Sequence, residues 1–223
     1  MRNGFGFVVN TKARKKTARK APVQSRSRAT VDAILDGCVR ILDQEGLVGA
    51  TTSRIAEVSG VSVGSLYQYF ENRDSILNAL QDREFARTSE MLQGLLLTRK
   101  FESERELAYT VISSLLDLYR ASPGLHRVLA LEGLRVAPTD RVQAFDHKIV
   151  EILRAFLEMT SFQILRKNRH AAAFVIYHSV RATMLAAILE EPAGITDEVL
   201  VEELTDLVVT HLIGAPPSQG SAK

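Results

Sequence analysis

All-α is the fold class this chain predicts, on three observations. The apolar residues are mainly Leu, Ala, Val and Ile, with no Trp and only 6% aromatics, a mix that favours helices over sheets. Apolar positions recur every three or four residues in nearly every segment. A hydroxyl, Asn or Pro stands just ahead of most of these stripes, where helix caps belong. The expected architecture is a small N-terminal unit of three helices followed by a larger helical bundle, about nine helices in all, with no convincing strand.

The first helix follows from Val31, Ile34, Leu35, Cys38, Ile41 and Leu42, with Gly46 at its expected end. Thr51, Thr52 and Ser53 cap a short second helix carrying Ile55 and Ala56, stopped by Gly60. Ser62 caps a third, and Asn72 a long fourth that includes Ile76, Leu77, Leu80, Met91 and Leu92. Ser103-x-x-Glu106 reads as a capping box opening the fifth. Ser122-Pro123 and Pro138-Thr139 start the sixth and seventh, since Pro is accommodated in the first turn. Asn168 caps a long eighth from about Arg169 to Glu190, and Thr196 caps the last, through Leu212.

Charge is unevenly placed. The net value is +2, yet the first 28 residues hold nine Lys/Arg and no acid, leaving 19 basic against 26 acidic residues beyond them. A basic arm on an acidic body points to an anionic polymer or surface as partner. Residues 1–27 are expected to be a disordered basic arm, and 215–223 a disordered tail. No run of about 18 consecutive apolar residues occurs, so no membrane span is expected. The single Cys38 excludes an internal disulfide and fits a reducing cytoplasm. No cofactor or metal is expected: paired cysteines and H-E-x-x-H are absent, and His170 and His178 are eight residues apart.

The stretch Gly60-Val61-Ser62-Val63-Gly64 fits the G-x-S-x-G pattern of a hydrolase nucleophile elbow. Such an elbow needs an apolar strand before its Ser, whereas TTSRIAEVS is an amphipathic helix with no β/α alternation after it. A helix-turn-helix explains each residue instead. Gly60 permits the sharp turn, Val61 plugs the corner and Ser62 caps the next helix. On that helix Leu66 and Phe70 share one side, while Gly64, Tyr67 and Gln68 cluster opposite, flanked by Val63 and Ser65.

TTSRIAEVSGVSVGSLYQYFENRDSIL resembles the DNA-binding domain of the tetracycline-repressor (TetR) family, over about residues 28–77. Hydroxyl cap, I-A pair, G-V-S turn, G-x-L-Y, Y-F and a following basic residue all occur in register. Tyr69 stands where His is frequent, Arg73 where Lys is, and Ser59 where Ala is. The expected DNA contacts are Thr52, Arg54, Ser62, Val63, Gly64, Ser65, Tyr67, Gln68, Tyr69 and Arg73. Thr52 and Ser62 sit at helix starts, suited to phosphate. The resemblance implies backbone clamping by Tyr67, Tyr69 and Arg73. Val63 toward a thymine methyl, Gln68 toward adenine and Ser65 with little selectivity are left as base readers.

The resemblance divides the chain into a DNA-binding domain over 28–74 and an effector-binding and dimerisation domain over 75–214. It implies a cytoplasmic homodimeric regulator, a repressor of a palindromic double-stranded DNA operator released by a small-molecule effector. Candidate effector contacts are polar or aromatic residues within apolar helices: Tyr109, Tyr119, Phe145, His147, Phe174, Tyr177, His178 and Arg181. Candidate dimer residues form two stripes, Ala172, Ala173, Ile176, Val180, Met184 and Ala187 on one helix and Leu204, Leu207, Val208 and Leu212 on the other. An all-helical enzyme is disfavoured because no nucleophile, base and orienting group occur together. A non-specific architectural DNA binder acting through its arm is the other rival.

Overall fold

Helix caps set the boundaries of this chain, and the computed structural model, which describes residues 21–136 and 139–214, shows how they work. Among the described residues there are nine helices and no strand: α1 (Ala21–Gly49), α2 (Thr52–Ser59), α3 (Val63–Tyr67), α4 (Arg73–Thr98), α5 (Glu104–Arg120), α6 (Pro123–Val136), α7 (Thr139–Met159), α8 (Arg169–Glu190) and α9 (Asp197–Ile213). Asn72, Asn168 and Thr196 each accept a hydrogen bond from the backbone N–H three residues on. Asn72 and Ser75 bond reciprocally, closing a capping box.

Some details differ from the sequence reading. Helix α1 begins at Ala21, inside the segment expected to be a disordered arm; Ala, Gln and Arg there are good helix formers. Residues 1–20 and 215–223 lie outside the described residues. At Gly46, with φ 67° and ψ −169°, the helical backbone breaks as the sequence reading expects, and a short turn follows it within α1. At Ser103, Glu106 reaches one residue past the cap, to the N–H of Glu102, so the box is open.

Two hydrophobic cores form. The first joins Ile34, Cys38 and Ile41 of α1, Ile55 of α2, Leu66 of α3 and Ile76 and Leu80 of α4, and it recruits Leu125 and Val128 from α6. The second is built from α4, α5, α7, α8 and α9. Helix α8 is long and apolar enough to cross a membrane by composition, but Ala173, Ile176, Val180 and Met184 are buried inside this protein's own core.

Helices α4 and α6 form the joint between the two cores: α4 places buried residues in both, and α6 seats on α1. A Cβ on Gly124 would stand 2.4 Å from the Leu42 carbonyl oxygen and 2.6 Å from Asp43 Cα, so only glycine lets α6 seat this closely on α1. One residue on, the N–H of Leu125 donates to Asp43 Oδ1 at 3.1 Å, satisfying an orphan donor at the helix start. Arg83 of α4 pairs with Asp36 of α1 at 2.7 Å, a second link across the joint.

Candidate nucleic-acid interface and effector cavity

The α2–α3 turn is a closed piece of backbone chemistry. Gly60 has φ 69° and ψ 24°, its N–H bonds to the Glu57 carbonyl, and the N–H of Val61 returns to Ala56 at 3.0 Å. This is the double bond of a Schellman motif, which only a left-handed residue permits. Val61 packs its side chain onto the first core, and Ser62 accepts from the N–H of Ser65 at 3.0 Å to begin α3.

Burial then splits α3. Leu66 and Phe70 enter the core, whereas Val63, Gly64, Tyr67, Gln68 and Tyr69 are exposed. A Cβ on Gly64 would find nothing nearer than Ser62 Oγ at 4.0 Å, so the fold itself does not require glycine there. The Thr52 and Tyr67 hydroxyls lie 3.1 Å apart, bringing the start of α2 and the end of α3 to one exposed surface. Regular helix ends at Tyr67, so Gln68 and Tyr69 project from the turn that follows.

Arg54 and Arg73 are less free than their sequence positions suggested. The guanidinium of Arg54 is held by Glu45 and Glu57, each at 3.0 Å, which neutralises its charge locally. Arg73 leans toward the Leu47 carbonyl at 3.5 Å and stands 3.9 Å from Asp74.

The second core is hollow. A cavity of about 120 Å³ runs between α4, α5, α7, α8 and α9, lined almost wholly by side chains such as Leu92, Val111, Leu115, Ile149, Leu153 and Phe156. A smaller chamber of about 60 Å³ adjoins it between α4, α6 and α8. Thr88, Tyr119, Phe145 and Arg181 border both. Phe145 stacks on Phe85, with ring centres 4.0 Å apart.

The smaller chamber is polar where the larger is not. Gln81, Glu84 and His126 are buried around it. Glu84 is held by Arg87 at 3.1 Å. His126 stacks on Tyr119 with ring centres 4.5 Å apart, and its Nε2 has no hydrogen-bond partner. Burial holds the His126 pKa below its ordinary value, against the opposing pull of Glu84. Burial and a hydrogen bond donated to Asp146 raise that of Tyr177.

Comparison with known proteins decides the family. Residues 34–80 match the family described as bacterial regulatory proteins, tetR family, and residues 105–212 the tetracyclin repressor-like C-terminal domain. The nucleoid occlusion factor SlmA of Haemophilus influenzae (strain PittGG) is 30% identical over 169 residues, 70% of each chain. The chain belongs to the TetR family. The transcriptional repressor AcnR of Corynebacterium diphtheriae is 24% identical over 191 residues, covering 83% of this chain and 92% of AcnR. The fold also matches a fatty acid degradation regulator, FadR, from Bacillus halodurans, with a TM-score of 0.64 at 19% identity over 81% of this chain and 94% of that one.

Within this TetR-family regulator of transcription the expected effector contacts divide. Phe145, Tyr177 and Arg181 line the cavity, as does Tyr119. Tyr109 and Phe174 do not: they are 41% and 51% exposed, on outward faces of α5 and α8. His178 lies between the rings of Phe174 and Tyr177, off the cavity wall, and His147 is exposed.

The dimer stripes need a larger correction. Ala172, Ala173, Ile176, Val180, Met184 and Ala187, with Leu204, Val208 and Leu212, are buried in the protomer's own core. Core packing has used these faces, which leaves them unavailable to a second subunit. Leu207 alone among them is exposed, at 43%. A different stripe of α8 faces outward, Ala171, Phe174, Val175, His178 and Ala182.

Sequence reasoning missed Gln81, Glu84 and His126. The signal was present for two of them: Gln81, Glu84 and Thr88 interrupt the inward stripe that runs from Leu77 to Met91, at helical spacing. Cys38 is plain core, its thiol pushed up to about 12 by burial and so unreactive.

Proposed function

We propose that this DNA-binding TetR-family regulator is a homodimeric repressor of a palindromic operator, released when a small molecule enters its C-terminal bundle. The supporting observation is the tie between its two halves. The exposed α3 surface stands on a core completed by Leu125 and Val128 of α6, and α6 also walls the polar chamber beside the cavity. An effector that binds one arrangement of α4 and α6 better than the other shifts the position of α3 through this joint.

In the DNA-bound state Thr52, Ser62, Tyr67, Tyr69 and Arg73 serve the phosphates, and Val63, Ser65 and Gln68 the base edges. Gly64 lets the helix come close to the groove. Arg54, tied to Glu45 and Glu57, orients α2 more than it neutralises phosphate. Dimerisation uses the outward stripe of α8 around Phe174 and Val175 with Val199 and Leu207 of α9, because one reading helix covers too few base pairs. Two such helices about 34–36 Å apart read successive major grooves on one face of the duplex.

Selection from random duplexes at physiological salt tests this reading. It predicts a two-fold-symmetric motif, and retention without any enriched motif would contradict it. A second reading, a nucleoid-associated role, draws on the likeness to SlmA. It predicts that the same motif is bound equally well whatever occupies the cavity.

A further inference from the structure

We propose that the effector is an amphipathic monoanion, an apolar body carrying a single carboxylate, seated with its body in the large cavity and its head against Arg181. This inference rests on the cavity being the effector site and adds the chemistry of what it takes.

Size and lining set the body. A cavity of about 120 Å³ has room for an apolar chain of several methylene groups, far more space than a single water needs. Its walls are Leu, Ile, Val and Phe along most of their length, with no ring of hydroxyls or amides to recognise a sugar or peptide. A polar ligand would leave its own groups unsatisfied there.

Charge sets the head. Arg181 borders both chambers and makes no hydrogen bond or ion pair among the described residues. Glu84, the carboxylate of the small chamber, is already served by Arg87 at 3.1 Å and approached by Arg83 at 3.9 Å. One guanidinium is therefore left over, enough for one negative charge. A phosphomonoester, carrying about −1.5 to −2 at neutral pH, would bring excess charge beside Glu84.

The buried ring of His126 supplies an independent pointer. It is 6% exposed, lines the small chamber, and its Nε2 has no hydrogen-bond partner, standing 3.9 Å from Glu84. An unsatisfied buried polar atom is costly, and a water held beside the head would satisfy it. Two of the chamber's walls are α4 and α6, the helices that pack against the reading unit. The head therefore delivers the signal, and the body supplies most of the binding.

Calorimetric titration of the full chain with decanoate and with decanol tests this. Decanoate is expected to bind roughly tenfold tighter or better, the worth of a charge-assisted pair in a partly buried site. Arg181→Gln should erase that preference while keeping decanol affinity within about twofold, and Arg181→Lys should retain it, separating charge from packing. Equal affinities in the wild-type chain, or a preference that survives Arg181→Gln, would overturn the assignment of the head. Binding of neither compound by protein that still holds DNA would overturn the effector site itself.

Discussion

The two cores of this protein differ in where they keep their chemistry. Around α1–α3 the interior is filled, with Ile34, Ile55, Leu66 and Ile76 fully buried, and every side chain assigned to DNA lies outside. The bundle of α4–α9 reverses this: its candidate binding groups point inward, at a cavity its packing leaves open. A filled core holds a surface rigid enough to match a duplex, whereas a hollow one can settle into two packings and so respond to a ligand.

The largest test of that contrast is a matched pair of truncations. Leu66→Ala removes a fully buried side chain from the filled core and should cost about 2–5 kcal/mol in chemical denaturation. Leu153→Ala, on the cavity wall, enlarges a space that exists already and should cost about 2 kcal/mol or less. Equal losses would remove the distinction between filled and hollow.

A pair of glycines sharpens it. Gly124→Ala forces a methyl against the backbone of α1 and should destabilise by about 1–3 kcal/mol while loosening the joint. Gly64→Ala has free space and should leave stability unchanged, or raise it by up to about 1 kcal/mol. Its effect should appear in DNA affinity instead, a separation that melting curves and operator titrations together would expose.

Among the outward groups, Gln68→Ala should relax preference at one operator position by about 1–3 kcal/mol, read by binding to a set of single-base operator variants. Arg73→Ala should weaken all sequences alike and flatten the salt dependence by about one unit. Arg54→Ala should flatten it less, because two carboxylates already hold that guanidinium.

The smallest expected effect concerns acid. Burial keeps the His126 pKa below its unfolded value, so protons bind the unfolded chain first. Stability is then complete above about pH 6.5 and declines as pH falls from there toward the lowered folded value. His126→Gln should melt with less acid sensitivity between about pH 7 and 5 than the wild-type chain.

Much of the reader could be seen in the sequence because its signals are local. Gly60, Ser62 and the Leu66/Phe70 spacing each specify a turn, a cap or a face within a few residues. Arg54 shows where local reading stops: its partner Glu45 comes from another helix. In the bundle the same periodicity marks core and interface alike, so the stripe from Ala173 to Ala187 was read as a dimer face when it packs inward. The chamber beside His126 depends on how α4, α6 and α8 meet, which no single helix encodes.

Coupling between the two halves is the central claim, and one titration addresses it directly. Affinity for the selected operator would be measured by fluorescence anisotropy with and without saturating decanoate, and decanoate affinity with and without operator. The account predicts that each weakens the other by the same factor, about 5- to 150-fold. Operator affinity unchanged while calorimetry shows the cavity occupied would contradict it.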